Sequence, residues 1–546
     1  MNFPILIGGC IFALGACTDK GKPSKPDPRP DGLTASEPIV CPEPALRSAL
    51  HYDKRQAAHQ PLDGAYLAGG GLVIADFTGD GIADMFLPSE VTSQLWVTIP
   101  GDATTEILFD DTGTDGLSGI DLSMAVGGTA VDYDGDGDLD LFVTRWEQPN
   151  LLLQNDGTGS FTDVTAPAML AHSRKSQSSS WADFDFDGDL DVFVGNYGDT
   201  PDTHDDPLMA AGEPSELYRN EGGGQFTDVS SMVPAAVHDG YSFMSGWYDI
   251  DGDHYPELFS AHDFGLVRDS TLAINNGGTS FTANHLDTNW HPQVEDMGMA
   301  VGDLNGDEIP DFLFSSWKTL SLMESSPSAT SPLGVIWVET SQARAFQVET
   351  ENRNQVYGWG AEFGDVDNDA DLDALMTFGY WSTYDSAGDP LVQVDGLWVQ
   401  DADGLFTNLA PEPQWALNDK GIGRGFVFHD LNGDGYLDVI KRELDGPTLL
   451  YLSRCGDDNW ARVRLEQSGP NTKAIGAMIR IRHGDSRQVR WIHSGSSGMY
   501  NGNPPEAHFG LGPDTLIDQL DVVWPDGEEV SYTHIPAKRI LTISRP

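Results

Sequence analysis

The sequence predicts an all-β fold: a seven-bladed β-propeller followed by a small all-β C-terminal domain. Three observations predict it. A nine-residue acidic loop recurs seven times. Each copy sits between two stretches rich in β-branched and aromatic residues, and most copies are followed by a Gly/Asn/Asp hairpin closing on Phe-Thr. Repetition at 51 to 66 residues marks a repeat architecture, and about four strands per unit is one propeller blade.

The loop carries the chemistry. Position one is always aspartate: Asp76, Asp132, Asp183, Asp249, Asp303, Asp365 and Asp430. Position five is also always aspartate: Asp80, Asp136, Asp187, Asp253, Asp307, Asp369 and Asp434. Position nine is Asp84, Asp140, Asp191, Asp311, Asp373, Asp438 or Glu257. Position three is Asp134, Asp185, Asp251 or Asp367 in four copies, Asn305 and Asn432 in two, and Thr78 in one. Position seven varies among Ile82, Asp138, Asp189, Tyr255, Ile309, Asp371 and Tyr436, so it is expected to offer its backbone carbonyl.

Oxygen donors packed this densely suit Ca2+, which accepts six to eight oxygens in flexible geometry, with up to seven sites in the chain. No Cys or His recurs in register, which disfavours zinc and copper. An EF-hand needs Glu at position twelve. Here that position is Leu87, Val143, Val194, Ser260, Phe314, Met376 or Lys441, and the flanks read as strands. Position six is Gly in four copies, suiting a positive-φ turn, and His254, Glu308 or Ala370 in the others. The loops at 132, 183 and 365 are expected to bind best, and those at 76, 249 and 303 more weakly.

Upstream strands such as GGLVIADF (70–77) and downstream strands such as LDLFVTR (139–145) flank the loops. The outer hairpins include LLLQNDGTGSFTDV (151–164) and ELYRNEGGGQFTDV (216–229). All seven loops are then expected on one face of the ring. These units resemble the FG-GAP (VCBS) repeats of integrin-type β-propellers, across roughly residues 65–455. The seventh outer hairpin, near 447–465, is blurred. Its last strand is left open between that region and the N-terminal segment around 48–70.

The chain opens on a short apolar run ending Leu14-Gly15-Ala16-Cys17, which resembles a bacterial lipobox. The resemblance implies a signal peptide over 1–16, lipidation of Cys17 and an outer-membrane anchor, although no Lys or Arg precedes the apolar run. Residues 17–40 read as a flexible tether. Cys41 and Cys455 flank the predicted propeller, 41–455, and are expected to form a disulfide in an exported protein. The chain carries 85 Asp/Glu against 30 Lys/Arg, a net charge of −55. Residues 451–546 are balanced, with eleven of each sign, so the excess lies upstream. Such acidity argues against nucleic acid as a partner.

After Cys455 the loop never returns. Alternation at Val463/Leu465, Ile479/Ile481 and Val489/Trp491 indicates half-buried strands in a domain over 456–546. This segment resembles the ASPIC/UnbV domain that follows FG-GAP repeats in cartilage acidic protein and its bacterial relatives. The resemblance rests on Asn459-Trp460, Ala474-Ile475-Gly476-Ala477, Gly495–Tyr500, His508–Gly512 and Trp524-Pro525-Asp526-Gly527. His493 and His508 lie near Ser494, Ser496 and Ser497 in sequence, but the serines sit in Gly-Ser-Ser-Gly rather than a nucleophile elbow. No catalytic residue is therefore assigned.

The expected function is that of a calcium-binding, surface-exposed, non-enzymatic module engaging an unidentified surface protein or glycan. Candidate binding loops are 199–215, 318–333 and 381–395. An enzyme acting on an extracellular polymer and a calcium-rigidified envelope spacer are the alternatives.

Overall fold

The computed structural model describes residues 32–38, 52–57, 70–99, 108–198, 212–264, 269–292, 294–348, 356–380, 392–409, 420–444, 446–453, 456–495 and 500–546. Cys17, Cys41, Cys455 and the signal segment 1–16 lie outside the described residues, as do 199–211 and 381–391 of the candidate binding loops.

Among the described residues, seven four-stranded antiparallel units follow one another along the chain, the second and third joined into one sheet where Asp140–Pro149 pairs with Ser173–Ala182. The second, for example, runs Ala125–Val131, Asp140–Pro149, Leu151–Asn155 and Phe161–Asp163. In every unit the acidic loop joins the first strand to the second. Numbering the units as blades 1 to 7, seven apolar clusters join each blade to its neighbour. Val73 and Phe86 of blade 1 meet Leu141 and Leu153 of blade 2, and Leu375 of blade 6 meets Val439 and Tyr451 of blade 7. Ile440 and Leu450 of blade 7 pack on Ile74 and Met85 of blade 1, which closes the ring.

The ambiguity over the last strand is resolved. Blade 7 takes Gly423–His429, Asp438–Glu443 and Thr448–Ser453 from the end of the repeat region, and its outer strand is Tyr52–Ala57. Tyr52 pairs with Ser453 and Ala57 with Thr448. Hydrogen bonds from the N-terminal segment thus latch the last blade and cover the edge of Thr448–Ser453.

Neighbouring blades are also tied by an asparagine at the start of the outer hairpin turn. Asn155 opens the outer hairpin of blade 2, and its Nδ2 donates to the carbonyls of Leu139 and of Phe77 in the loop of blade 1. Asn220 does the same to Leu190 and Tyr133, and Asn275 to Pro256 and Phe184. Each amide satisfies one carbonyl in its own blade and one in the blade before it.

The C-terminal residues form two four-stranded sheets. One contains Asn459–Gln467, Glu506–Gly512 and Arg539–Arg545; the other contains Met478–His483, Ser486–Trp491, Leu516–Val523 and Glu529–Pro536. Leu33–Ala35, expected within a flexible tether over 17–40, forms an edge strand of this module, with Leu33 opposite Ile543. The module's core residues Val463, Ile479, Leu520 and Leu541 share one apolar cluster with Phe142 and Leu152 of blade 2 and Val192 and Tyr218 of blade 3.

One segment of the module enters the ring. Ser494–Gly495 pairs with Ser180 and Trp181 of blade 3. Beyond it, Gly502 donates to the Leu72 carbonyl and accepts from Ile74 N–H of blade 1, both at 2.9 Å. Asn501 donates to Phe426 of blade 7 (2.5 Å), and Ser494 Oγ donates to Ala130 of blade 2 (2.9 Å). Tyr500 is buried, edge-on to Phe243 of blade 4 at 6.0 Å. Gly71 and Gly127 are required here, because a Cβ at either would press on the Tyr500 carbonyl. First strands of adjacent blades abut, so this segment fills the space they enclose.

Replacing Asn220 by alanine leaves two buried carbonyls without a donor. We expect a loss of about 2 kcal/mol in urea unfolding of the whole chain, from the cost of unsatisfied buried polar groups.

Candidate metal loops and the interface cavity

The seven loops share one internal scaffold. The position-nine carboxylates are fully buried. In six copies one oxygen accepts the N–H of loop position two and the other accepts an N–H from the third strand. Asp140, for instance, takes Tyr133 N–H (3.3 Å) and Asn155 N–H (2.8 Å), and Asp438 takes Leu431 and Ser453 N–H. Position one accepts N–H groups across the turn: Asp183 takes Asp187 and Gly188, and Asp303 takes Gly306, Asp307 and Glu308. Position five accepts the position-seven N–H in all seven copies, as with Asp136 and Asp138 (3.0 Å).

Position six lies in the left-handed region in every copy, including His254 (φ 73°), Glu308 (68°) and Ala370 (87°). A non-glycine residue there costs roughly 1 kcal/mol, so the turn geometry is imposed by the surrounding hydrogen bonds rather than by local preference.

In four loops carboxylates converge. Oxygens of Asp132, Asp134 and Asp136 lie within 4.8 Å of one another, as do those of Asp183, Asp185 and Asp191, of Asp249, Asp251 and Glu257, and of Asp365, Asp367 and Asp373. Three of these groups contain a buried carboxylate oxygen that accepts no hydrogen bond: Asp185 Oδ1, Glu257 Oε1 and Asp365 Oδ1. Burial pushes Asp183 up to about 7, and neighbouring Asp187 and Asp185 push the same way. Burial raises Glu257 to about 8, with Asp251, Asp249 and Asp253 adding to it. Burial raises Asp367 to about 7, with Asp369 adding to it. The residues present fit a hard divalent cation: the donors are all oxygen, negative charge is in excess, and unpartnered oxygens converge.

The other three loops differ. Thr78 Oγ1 donates to Asp84 Oδ2 at 3.2 Å, and Asn305 Nδ2 donates to the Ser325 carbonyl at 3.0 Å. Asp430 Oδ2 accepts Arg462 Nη1–H at 3.0 Å, so a guanidinium supplies positive charge to the seventh loop. The loop at 249, placed by sequence among the weaker ones, groups geometrically with those at 132, 183 and 365. The side chains of Ile82, Asp138, Asp189, Tyr255, Ile309, Asp371 and Tyr436 enter none of the four groups.

The C-terminal module sits on this loop face. Thr472 Oγ1 donates to Asp132 Oδ2, Arg464 to the Gly81 carbonyl, and Arg480 pairs with Glu308 at 3.2 Å. Gly512 N–H donates to Asn368 O (2.7 Å), and His508 Nε2 lies 3.0 Å from Gly435 O. Arg462 also holds Glu506 (2.7 Å), itself 3.2 Å from His429 Nδ1. The residues that carried the C-terminal resemblance are therefore largely docking residues. Trp460 lies where a Cβ on Gly435 would be, and Gly510 packs on Asp365 and Asn368. The serine–histidine hydrolase arrangement is not assembled among the described residues: Ser494 is committed to Ala130 and His508 to Gly435, while Ser496 and Ser497 lie outside them.

A cavity of about 290 Å³ remains between the module and blades 3 and 4. Its walls include Trp247, Trp491, Trp524, Phe186 and His254, with Asp183 and Asp249 at the adjoining loops. Phe186 is 42% exposed and stacks on His254 at 5.7 Å. Two buried lining groups have no hydrogen-bond partner, Trp524 Nε1 and His493 Nε2. Burial lowers the His493 pKa, which favours the neutral imidazole. Sequence reasoning missed this site, because its walls come from segments more than two hundred residues apart.

Residues 467–546 match the family described as ASPIC and UnbV, and residues 132–194 and 249–314 match the FG-GAP-like repeat. Residues 467–546 thus carry an ASPIC and UnbV domain, and the repeat region before them contains FG-GAP-like repeats. Cartilage acidic protein 1 of Mus musculus is 28% identical to it over 244 residues, 44% of this chain and 35% of that protein. The Homo sapiens protein is also 28% identical over 244 residues, 44% of this chain and 34% of its own. The chain thus spans about a third of the length of these relatives. Among solved structures, an Agrocybe aegerita lectin that recognises non-reducing terminal N-acetylglucosamine aligns with a TM-score of 0.39 and 14% identity, over 70% of this chain and 94% of that one. A likeness at that score carries no argument about function.

The scaffold separates two roles testable by melting with and without calcium. Asp140→Ala should destabilise the protein by about 2 kcal/mol or more in EDTA as well as in calcium, because two backbone donors lose their acceptor. Asp136→Ala should lower the melting temperature mainly in calcium.

Proposed function

We propose that this chain is an exported, calcium-stabilised, non-enzymatic binding module that recognises a glycan or a surface protein, with Cys17 anchoring it to the outer membrane. The observation that carries the binding reading is the cavity between module and propeller. Four tryptophans, an exposed stacked aromatic pair and two unpartnered buried polar groups surround a space at the small end of ligand sites. Aromatic faces with a few convergent polar groups suit a sugar ring or a side chain of similar size.

Calcium acts on this site indirectly. The loops of Asp183 and Asp249 border it, and four of the module's anchors are loop residues: Asp132, Glu308, Asn368 and Asp430. Cations in the loops reduce carboxylate repulsion under the module and so hold the cavity's two walls together. Because the module covers the loop face, a macromolecular partner is expected at the cavity mouth or on the opposite face. The enzyme reading is less favoured, since Ser494 and His508 each hydrogen-bond a propeller carbonyl.

At millimolar calcium and affinities usual for extracellular modules, each occupied site contributes roughly 1 kcal/mol. EDTA should therefore lower the melting temperature of the mature protein by several degrees, and an unmoved melt contradicts the calcium role. Binding is read on a glycan array and by surface capture, in calcium and in EDTA. Phe186→Ala should weaken recognition about tenfold while leaving the calcium-dependent melt unchanged. Turnover of a glycan in place of retention would favour the enzyme.

A further inference from the structure

Lys441 occupies a place no other repeat gives to a charge. It is position twelve of the seventh loop, where the other copies carry Leu87, Val143, Val194, Ser260, Phe314 and Met376. Its side chain is 1% exposed, in the second strand of blade 7. Glu443 follows two residues later on the same face of that strand, and Asp395 comes from blade 6, just before the strand Gly396–Gln400.

The three groups are in contact. Lys441 Nζ lies 2.5 Å from Asp395 Oδ2 and 2.9 Å from Glu443 Oε1, with side-chain exposures of 2% for Asp395 and 13% for Glu443. Apart from Lys441, Asp395 Oδ2 has no hydrogen-bond partner among the described residues. The other oxygen, Oδ1, accepts the Phe378 N–H at 2.9 Å. A buried ion pair is costly to desolvate, and here two carboxylates share one ammonium in the dry seam between two blades.

We propose that Lys441 and Asp395 form an intramolecular isopeptide bond, with Glu443 as the proton carrier. The three residues start as an ion pair, because Asp395 and Glu443 hold the Lys441 proton against burial, while burial pushes the Asp395 carboxyl up. A proton passes from Lys441 Nζ to Asp395 Oδ2, leaving a neutral amine and a neutral carboxylic acid. The amine lone pair attacks Asp395 Cγ, and the charge developing on Oδ1 falls on the oxygen already held by Phe378 N–H. Glu443 takes the second proton from nitrogen and returns it to Oδ2, which leaves as water when the C–O bond breaks. One C–N bond forms, one water departs, and no oxidant or reductant is needed. The product replaces a buried charge pair with a neutral amide that retains the Phe378 hydrogen bond. It links blade 6 covalently to blade 7, the blade closed by the N-terminal strand Tyr52–Ala57.

The test is a tryptic digest of the full chain with peptide mass analysis. The expected result is no cleavage after Lys441 and a branched species joining the Lys441 and Asp395 peptides, lighter than their sum by one water. Glu443→Gln should leave most of the protein unlinked, with both peptides recovered separately, and Lys441→Arg should abolish the link. Efficient cleavage after Lys441 in the wild-type protein, with both peptides at full mass, would mean a buried ion pair only and overturn the proposal. That wild-type readout stands even if a variant fails to fold.

Discussion

The structure depends on a buried carboxylate at the ninth position of each acidic loop. In six copies its two oxygens accept one backbone N–H from the loop and one from the third strand of the same blade. A buried carboxyl group whose oxygens accept these N–H groups fixes the loop relative to the sheet, while its burial raises its pKa, to about 9 for Asp140. Glu257 is the exception: one oxygen takes Ile250 N–H and the other is left without a partner. The ninth side chain is thus a strut in six blades, and in the loops of Asp191, Glu257 and Asp373 it also belongs to a converging carboxylate group.

On that scaffold the C-terminal module acts as a lid. Its threonine, arginine and glycine contacts fall on the turns of the loops, and its segment around Tyr500 fills the axis. Arg462 extends the idea, since its guanidinium lies against Asp430 and Glu506 and gives the seventh loop a built-in cation. Four loops with converging carboxylates and one neutralised by arginine make a ring whose electrostatics vary from blade to blade.

Much of this was legible in the sequence because the loop repeats in register. Alternate aspartates with variable residues at position seven located every first-to-second strand connection, and the apolar flanks located the strands. The ninth-position strut was not legible, since a buried acceptor and a metal ligand both ask for Asp. Nor were the hairpin asparagines: Asn155, Asn220 and Asn275 recur in turn sequences where asparagine is common, and their cross-blade bonds appear only when neighbouring blades are side by side. Leu33–Ala35 lay in a Pro- and Lys-rich stretch whose composition masks a three-residue edge strand. The cavity and the Lys441–Asp395–Glu443 group are products of tertiary juxtaposition alone.

The outer strand of the last blade, Tyr52–Ala57, has a consequence for biogenesis. The earliest-made part of the ring must wait for nearly the whole propeller to be synthesised before it finds its partner at Thr448–Ser453, and the axis is filled only by residues beyond 494. Contacts of such long sequence separation make assembly slow, with unpaired strand edges exposed meanwhile. A chain cut short before its final fifty residues would present an unfilled hub to the quality-control machinery of whatever compartment receives it.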